Sequence, residues 1–450
     1  MEGVELVVHV ALPSGKRATL AVSEMSTVGD LKHLAQKAFL QGFLRLVTSS
    51  GQVLMDTGAS LQSAGIQTGD QLIAVAQAPK VAATHGSFAL WLYGGDKVIT
   101  WGNRDWGFRR IPTPDQLRNV EHVVATNAAF AALLADGSVV AWGNPHQGGN
   151  SSTVKDRLIG VQQLQATVGA FAAVTFDGSV VTWGAAHLGG DSTQVQGQLT
   201  NVRQIHASQA AFAAILADGS VVTWGDPQRG GDSSEVQCRL RNVKDIYASD
   251  VAFAAILADG SVVTWGHAGY GGDCSEVQDQ LRDVQRIQAT KFAFAAVLTD
   301  GSIVTWGDPE RGADTSAVQS RLGRVRQIQS THTAFAAILS DGSVATWGFN
   351  FPDGGGDSSA VQDQLRGVRQ IQATGAAFAA ILDNGSVVTW GDPAFGGDSS
   401  EVQDQLKEVQ QIHAAQRAFV AVLADGSIVT WGDPKNGGDS SAVQDQIAQL

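Results

Sequence analysis

The sequence predicts a mainly β protein, assembled radially from nine repeated units of three short strands and a helical turn, with a small α+β domain in front of them. Three observations carry this. Trp-Gly occurs ten times in 450 residues, and nine copies (Trp101, Trp142, Trp183, Trp224, Trp265, Trp306, Trp347, Trp390 and Trp431) keep one register. Seven of their eight spacings are 41 residues and one, Trp347 to Trp390, is 43; a fixed period in this range marks a solenoid or a propeller. Within almost every unit Asp-Gly separates two apolar runs, and residues 1–78 contain no Trp-Gly at all. The domains expected are therefore 1–78 and 79–450.

In the first domain Val4, Leu6, Val8 and Val10 alternate, Ser14-Gly15 turns the chain, and Ala18 to Val22 returns as a hairpin. Val28, Leu31, Leu34, Ala35 and Ala38 have helical spacing after Thr27, a candidate N-cap with Asp30 three residues on. Leu44 to Val47 and Gln52 to Leu54 form a further pair, and Gln71 to Ala76 a last strand.

Each later unit reads close to VRQIQAT-xxAFAAILADGSVVTWGDPxxGGDSSxVQDQLRN. Phe212 to Leu216 and Ser220 to Trp224 are strands, and Asp218-Gly219 between them is a tight-turn signal in which both central positions favour a left-handed backbone. Val202 to Ala207 is a third strand, its inner face marked imperfectly by Val202, Ile205 and Ala207. Asp232-Ser233-Ser234-Glu235-Val236-Gln237 has capping-box spacing, which predicts a short helical turn in segments such as Ser359 to Leu365. The Gly-Gly pairs, Gly230-Gly231 for example, are expected to supply unusual dihedrals. Three short strands without a long helix favour a radial β assembly over helix-pair solenoids.

The stretch Phe212-Ala213-Ala214-Ile215-Leu216-Ala217-Asp218-Gly219-Ser220-Val221-Val222-Thr223-Trp224-Gly225 resembles the repeat of the RCC1-like propeller family, over all nine units. The resemblance implies a propeller with short blades. Where many members carry a His, this chain has Phe130, Phe171, Phe212, Phe253, Phe294, Phe335, Phe378 and Phe419, an array expected to be core packing. Nine units leave three arrangements open: a closed nine-blade ring with a wide channel, a smaller ring with units outside it, or an open ramp. Closure is favoured. Leu46 to Leu54 and Leu61 to Leu72 resemble ubiquitin-like β-grasp domains, over residues 4–76. That likeness places Val47 at the family's exposed apolar contact, near His9 or Ala11 and Val75. No Gly-Gly ends the domain, so a built-in module is expected and not a conjugated tag.

The net charge of −13 opposes a general nucleic-acid or anionic-membrane binder. Residues 1–80 hold six acidic and six basic side chains, so the whole excess sits on the repeats. These carboxylates are read as caps and solubilising surface, with attraction of a basic partner as the rival. No 18-residue apolar run or signal peptide is found, and a cytoplasmic or nuclear setting is expected. Cys238 and Cys274 are solitary, and the ten His form no metal pattern. No enzyme, cofactor or metal is therefore expected.

The positions that vary between units are the leads, because repeat proteins bind through such loops on one face. They include Asn127, Asp250, Lys291-Phe292, His332 and Gln416-Arg417 before the Phe strands. After Trp-Gly come Arg229, Tyr270, Arg311, Phe351 and Phe395, and the irregular first unit adds Trp91, Trp106, Phe108 and Arg109. With Val47 these are the candidate partner-binding residues, Trp and Arg being frequent binding anchors. The function expected is a non-catalytic protein-interaction scaffold or adaptor recruiting partners to the ubiquitin system. The alternatives are a relative or component of a ubiquitin ligase, and a guanine-nucleotide exchange factor for a small GTPase. Partners are expected to be proteins, ubiquitin-system components or a small GTPase, with no nucleic acid and no membrane.

Overall fold

The computed structural model describes residues 5–39, 44–54, 58–77, 79–95, 97–107, 111–349 and 354–447. Its N-terminal segment is α+β: β1 (Glu5–Ala11), β2 (Arg17–Ser23), α1 (Val28–Phe39), β3 (Leu44–Thr48) and β4 (Gln71–Ala76). The sheet order is β2-β1-β4-β3, with β1 and β4 parallel. Thr27 caps α1 reciprocally: its Oγ1 accepts from Asp30 N at 3.2 Å while its own N–H donates to Asp30 Oδ2 at 2.8 Å. Gln52 to Leu54 is not a full strand. The tight turn that closes with Gly51 N–H on Thr48 O leaves only the bridge Val47–Val53.

Nine three-stranded antiparallel sheets follow. In the fourth, the inner strand is Val202–Ala207, the middle Ala211–Leu216 and the outer Val221–Gly225. The inner strand is bulged between Val202 and Gln204. One extra residue there turns a two-residue alternation into a three-residue step, so Val202 and Ile205 are both buried. The Asp-Gly turn differs from the expected one, since only its glycine is left-handed, Gly219 at φ 79°. Gly219 N–H bonds Leu216 O and Leu216 N–H bonds Ser220 O, a three-residue hairpin with a glycine bulge.

The capping box is also corrected. Asp232 Oδ1 accepts from Ser234 N–H, Ser233 Oγ donates to Gln237 Oε1, and Gln237 Nε2 donates to Val221 O. The Ser and Gln thus tie the turn to the outer strand, and the helical turns over Ser275–Gln280 and Ser359–Gln364 have no side-chain cap. The hairpin and loop aspartates accept in the same local manner, as Asp218 does from Ser220, and these bonds lower its pKa. Many of the carboxylates of the repeats therefore serve their own turns.

Neighbouring blades meet through one repeated contact. Phe212 stacks on Trp224 of its own blade at 5.2 Å, and the Trp224 indole N–H donates to Gly189 O of the preceding unit at 3.1 Å. Gly189 has φ 92°, and a Cβ there would lie 2.6 Å from Phe212 Cδ2, so only glycine fits. The array of Phe residues is wholly buried, as core packing requires. The same contact joins the ends of the chain: Trp101 Nε1 donates to Gly437 O at 3.1 Å, and Phe88 packs with Ala418, Val420 and Val443. The nine units close into a ring.

Candidate partner-binding face

At the end of the inner strand in the first eight blades a hydroxyl residue precedes the turn into the middle strand, and Ala415 takes that place in the ninth. That hydroxyl holds the loop of its own unit: Thr126 donates to Gln147 O, Thr167 to Leu188 O, Ser208 to Arg229 O, Thr290 to Arg311 O and Thr374 to Phe395 O. Thr84 does the same to Trp106 O. Most of these loops start as short 3-10 turns capped by Asn or Asp, such as Asp226 accepting from Gln228 N–H, while Ala185 and His267 stand at two uncapped starts; the turns end on a left-handed glycine. In these units the tether fixes the last residue of the loop's 3-10 turn to the end of the inner strand, on the same face of the ring.

The next residue in each unit forms a collar. His85 N–H donates to Asn127 O, Asn127 to Val168, Val168 to Gln209 and Gln209 to Asp250, at 2.9–3.1 Å. On the other side Lys291 donates to His332, His332 to Gly375 and Gly375 to Gln416, at 2.8–3.0 Å. These seven links join the nine positions in two arcs, and nine positions about 4.8 Å apart, the spacing of hydrogen-bonded strands, span a circle roughly 14 Å across. The wide channel expected of nine blades is thus drawn in at this face. It leaves a cavity of about 610 Å³ lined by the inner-strand ends, their hydroxyls and the collar side chains.

Around the collar the charged and aromatic side chains pair. Lys291 Nζ lies 3.5 Å from Asp250 Oδ2, which also accepts from Gln209 Nε2 at 3.2 Å, and Arg229 donates to Gln209 Oε1. The Arg311 guanidinium lies 4.4 Å over the Phe292 ring, with Asp308 at 3.6 Å and Tyr270 edge-on to Phe292 at 4.9 Å. Arg417 lies 4.4 Å over Phe395, with Asp433 at 3.3 Å. Trp106 stacks on His85 at 4.4 Å. Arg311 and Arg417 are each held by a carboxylate and an aromatic face, which fixes their positions before any partner arrives.

The electrostatics of the cavity are uneven. His332 is pushed down to about 3, by burial first and then by Lys291 and His85. His85 is lowered by burial, Lys291 and Arg417. Asp250 is raised, because burial outweighs Lys291 and Arg229. Both imidazoles are therefore neutral near pH 7.

Of the sequence candidates, Trp106, Arg229, Tyr270, Arg311 and Phe395 come together on this face. Trp91 is corrected to a core residue: it is 2% exposed in a middle strand and packs with Leu117, Val120 and Phe130. Phe108, Arg109 and Phe351 lie outside the described residues. Val47 belongs to the other domain, where it is half-buried and pairs with Ile73; Ile73 and Val75 are 46% and 38% exposed. His85 and the acidic anchors Asp308 and Asp433 were not singled out. Aligning the units would have found His85, which stands where Gln209 stands in the fourth. Among the described residues no group of three or more His, Cys, Asp or Glu side chains is placed to hold a metal ion, and no helix is long and apolar enough to cross a membrane.

No protein-family model and no curated protein matches the chain. Among solved structures the chain is similar to the CRINKLY WD40 ectodomain of the Arabidopsis thaliana receptor kinase ACR4. The identity is 14%, over 70% of this chain and 98% of that one, with a TM-score of 0.37. It is also similar to Prp20p of Saccharomyces cerevisiae, described with its binding to Gsp1p and histones, at 13% identity over 69% and 82% of the two chains, TM-score 0.35. A ubiquitin-like domain of an Arabidopsis thaliana protein is 25% identical over 17% of this chain and 82% of its own, TM-score 0.15. The ring itself is defined by the strand pairing and closure described above.

Proposed function

We propose that the chain is a non-catalytic protein-interaction ring that engages its partner through the collar face. The observation supporting this is that the aromatic and arginine side chains which depart from the repeat gather on that face, each braced by a carboxylate or a ring. Buried aromatic and arginine anchors of this kind dominate protein interfaces. Recruitment to the ubiquitin system through the N-terminal domain is the finer reading, and a cytoplasmic or nuclear setting is proposed with it. Guanine-nucleotide exchange on a small GTPase is the second reading. Prp20p is described by its binding to Gsp1p and histones, and a likeness so distant transfers neither to this chain.

The test is affinity capture with the full chain, compared with an Arg229→Ala, Arg311→Ala, Phe395→Ala triple variant and with Phe176→Ser, which alters an exposed hairpin residue at the opposite end of its strand. Partners enriched by the native ring should be lost with the triple variant and kept with Phe176→Ser. Retention of the same proteins by the triple variant refutes the assignment of the face. Ubiquitin-system proteins in the capture support the adaptor. Accelerated release of a labelled guanine nucleotide from a captured GTPase supports exchange instead.

A further inference from the structure

We propose that the axial cavity of the collar face receives a carboxylate from an acidic segment of the partner, held by Lys291, His85 and His332. This rests on the reading of the collar as the partner-binding face and names the chemistry that its centre recognises.

Three basic side chains, His85, Lys291 and His332 from the first, sixth and seventh blades, line one cavity of about 610 Å³. They are close enough for His85 to feel Lys291 and Arg417, and for His332 to feel Lys291 and His85. Gly375 leaves the eighth blade without a side chain, and His332 lies across that gap, 2.6 Å from where a Cβ would be. The carboxylates nearby are already engaged: Asp250 with Lys291 and Gln209, Asp433 with Arg417. Arg229 adds a further positive charge beside Asp250. The backbone collar is also open here, since among the described residues no link is formed from Asp250 N–H to Lys291 or from Gln416 N–H to His85.

Charge on two scales selects the ligand. The whole chain carries −13, which repels a long polyanion such as a nucleic acid from a distance, while a short acidic peptide in low salt can reach the axis. The charged groups that act on the two imidazoles are cations, Lys291 and Arg417 at His85 and Lys291 at His332, and two neutral imidazoles can each add a proton. A single carboxylate on a protein segment satisfies both conditions. Its entry reverses the sign of the field at His85 and His332, so binding takes up protons and tightens as pH falls.

The experiment measures anisotropy of a fluorescein-labelled hexaglutamate peptide on the full chain in low salt, at pH 6 and pH 8. Hexaglutamine serves as the neutral probe. The native chain should bind hexaglutamate at least threefold more tightly at pH 6 and should not bind hexaglutamine. Lys291→Gln should weaken binding about tenfold, His332→Gln should flatten the pH dependence, and Arg118→Gln at the opposite end of the blades should change nothing. Circular dichroism melts confirm that each variant is folded. No binding, or binding indifferent to Lys291→Gln and His332→Gln, overturns the proposal. Complete displacement of the peptide by millimolar inorganic phosphate also overturns it, in favour of a small-anion site. Failure of the peptide while the native ring still captures its partner through this face removes the carboxylate assignment and leaves the interaction reading intact.

Discussion

Closure of the ring rests on the contact between Gly437 and the first blade, and replacing that glycine by alanine should open it. Gly437 has φ 99°, where a side chain costs about 1–2 kcal/mol. The added Cβ would stand 2.6 Å from Phe88 Cδ2, an overlap worth about 1–3 kcal/mol in a packed interior. Retreat of Gly437 also takes the acceptor from the Trp101 indole N–H. A total near 3 kcal/mol raises the opening equilibrium of that interface roughly 150-fold. Gly189→Ala is the matched control, because its Cβ would meet Phe212 Cδ2 at the same 2.6 Å. The two differ in topology. The chain itself joins the blades on either side of Gly189, whereas side chains and single hydrogen bonds alone join the ninth blade to the first. Hydrogen exchange read by mass spectrometry should show Gly437→Ala accelerating the amides of Ser87–Trp91, Val98–Gly102 and Ala418–Leu423 by about two orders of magnitude, with the central blades unchanged. Gly189→Ala should show no such release of the terminal blades. Equal behaviour of the two variants, or terminal blades that already exchange freely in the native protein, would refute closure.

Three further outcomes are expected. His332 and His413, pushed down to about 3 and about 4 chiefly by burial, bind fewer protons folded than unfolded below the ordinary value near 6.5. Each therefore withdraws stability as pH falls through about 6.5, about 2 kcal/mol between pH 7 and pH 5; urea midpoints should fall over that window, and His332→Gln should remove part of the fall. Thr27→Ala removes a cap worth about 1 kcal/mol and should raise exchange across Val28–Phe39 alone, so ring amides that change as well would contradict an independently folded module. Arg311→Ala loses a cation–ring contact of about 0.5–1 kcal/mol at the surface. Calorimetry should show the melting temperature within 2–4 °C of native, about the shift for 1 kcal/mol, and a larger drop would make Arg311 a structural residue.

What the sequence made legible was whatever it states nine times. The Trp-Gly register, the Phe strand and the Asp-Gly hairpin each need only neighbouring residues, and each is present in the structure. The misreadings involve partners that no local window contains. Asp232 to Gln237 has the spacing of a capping box, yet Gln237 reaches the carbonyl of Val221, 16 residues away, and the turn is tied down from outside. Trp91 looks like a binding anchor only in isolation. Its register opposite Val98, with Phe88 opposite Trp101, places it where Ile215 lies in the fourth blade, a core position. Closure, though favoured, could not be separated from a smaller ring or an open ramp for a related reason. Every interface uses the same glycine, phenylalanine and tryptophan, and the turn from blade to blade depends on packed volumes that no single repeat specifies. The ring reuses one packing of glycine on phenylalanine at its joints, with the indole bond missing only at Trp142 among the described residues, and leaves the collar and its loops free to vary. Variation at those positions costs the fold little, which is why Lys291, His332, Arg311 and Phe395 can carry recognition while Phe212 and Trp224 cannot.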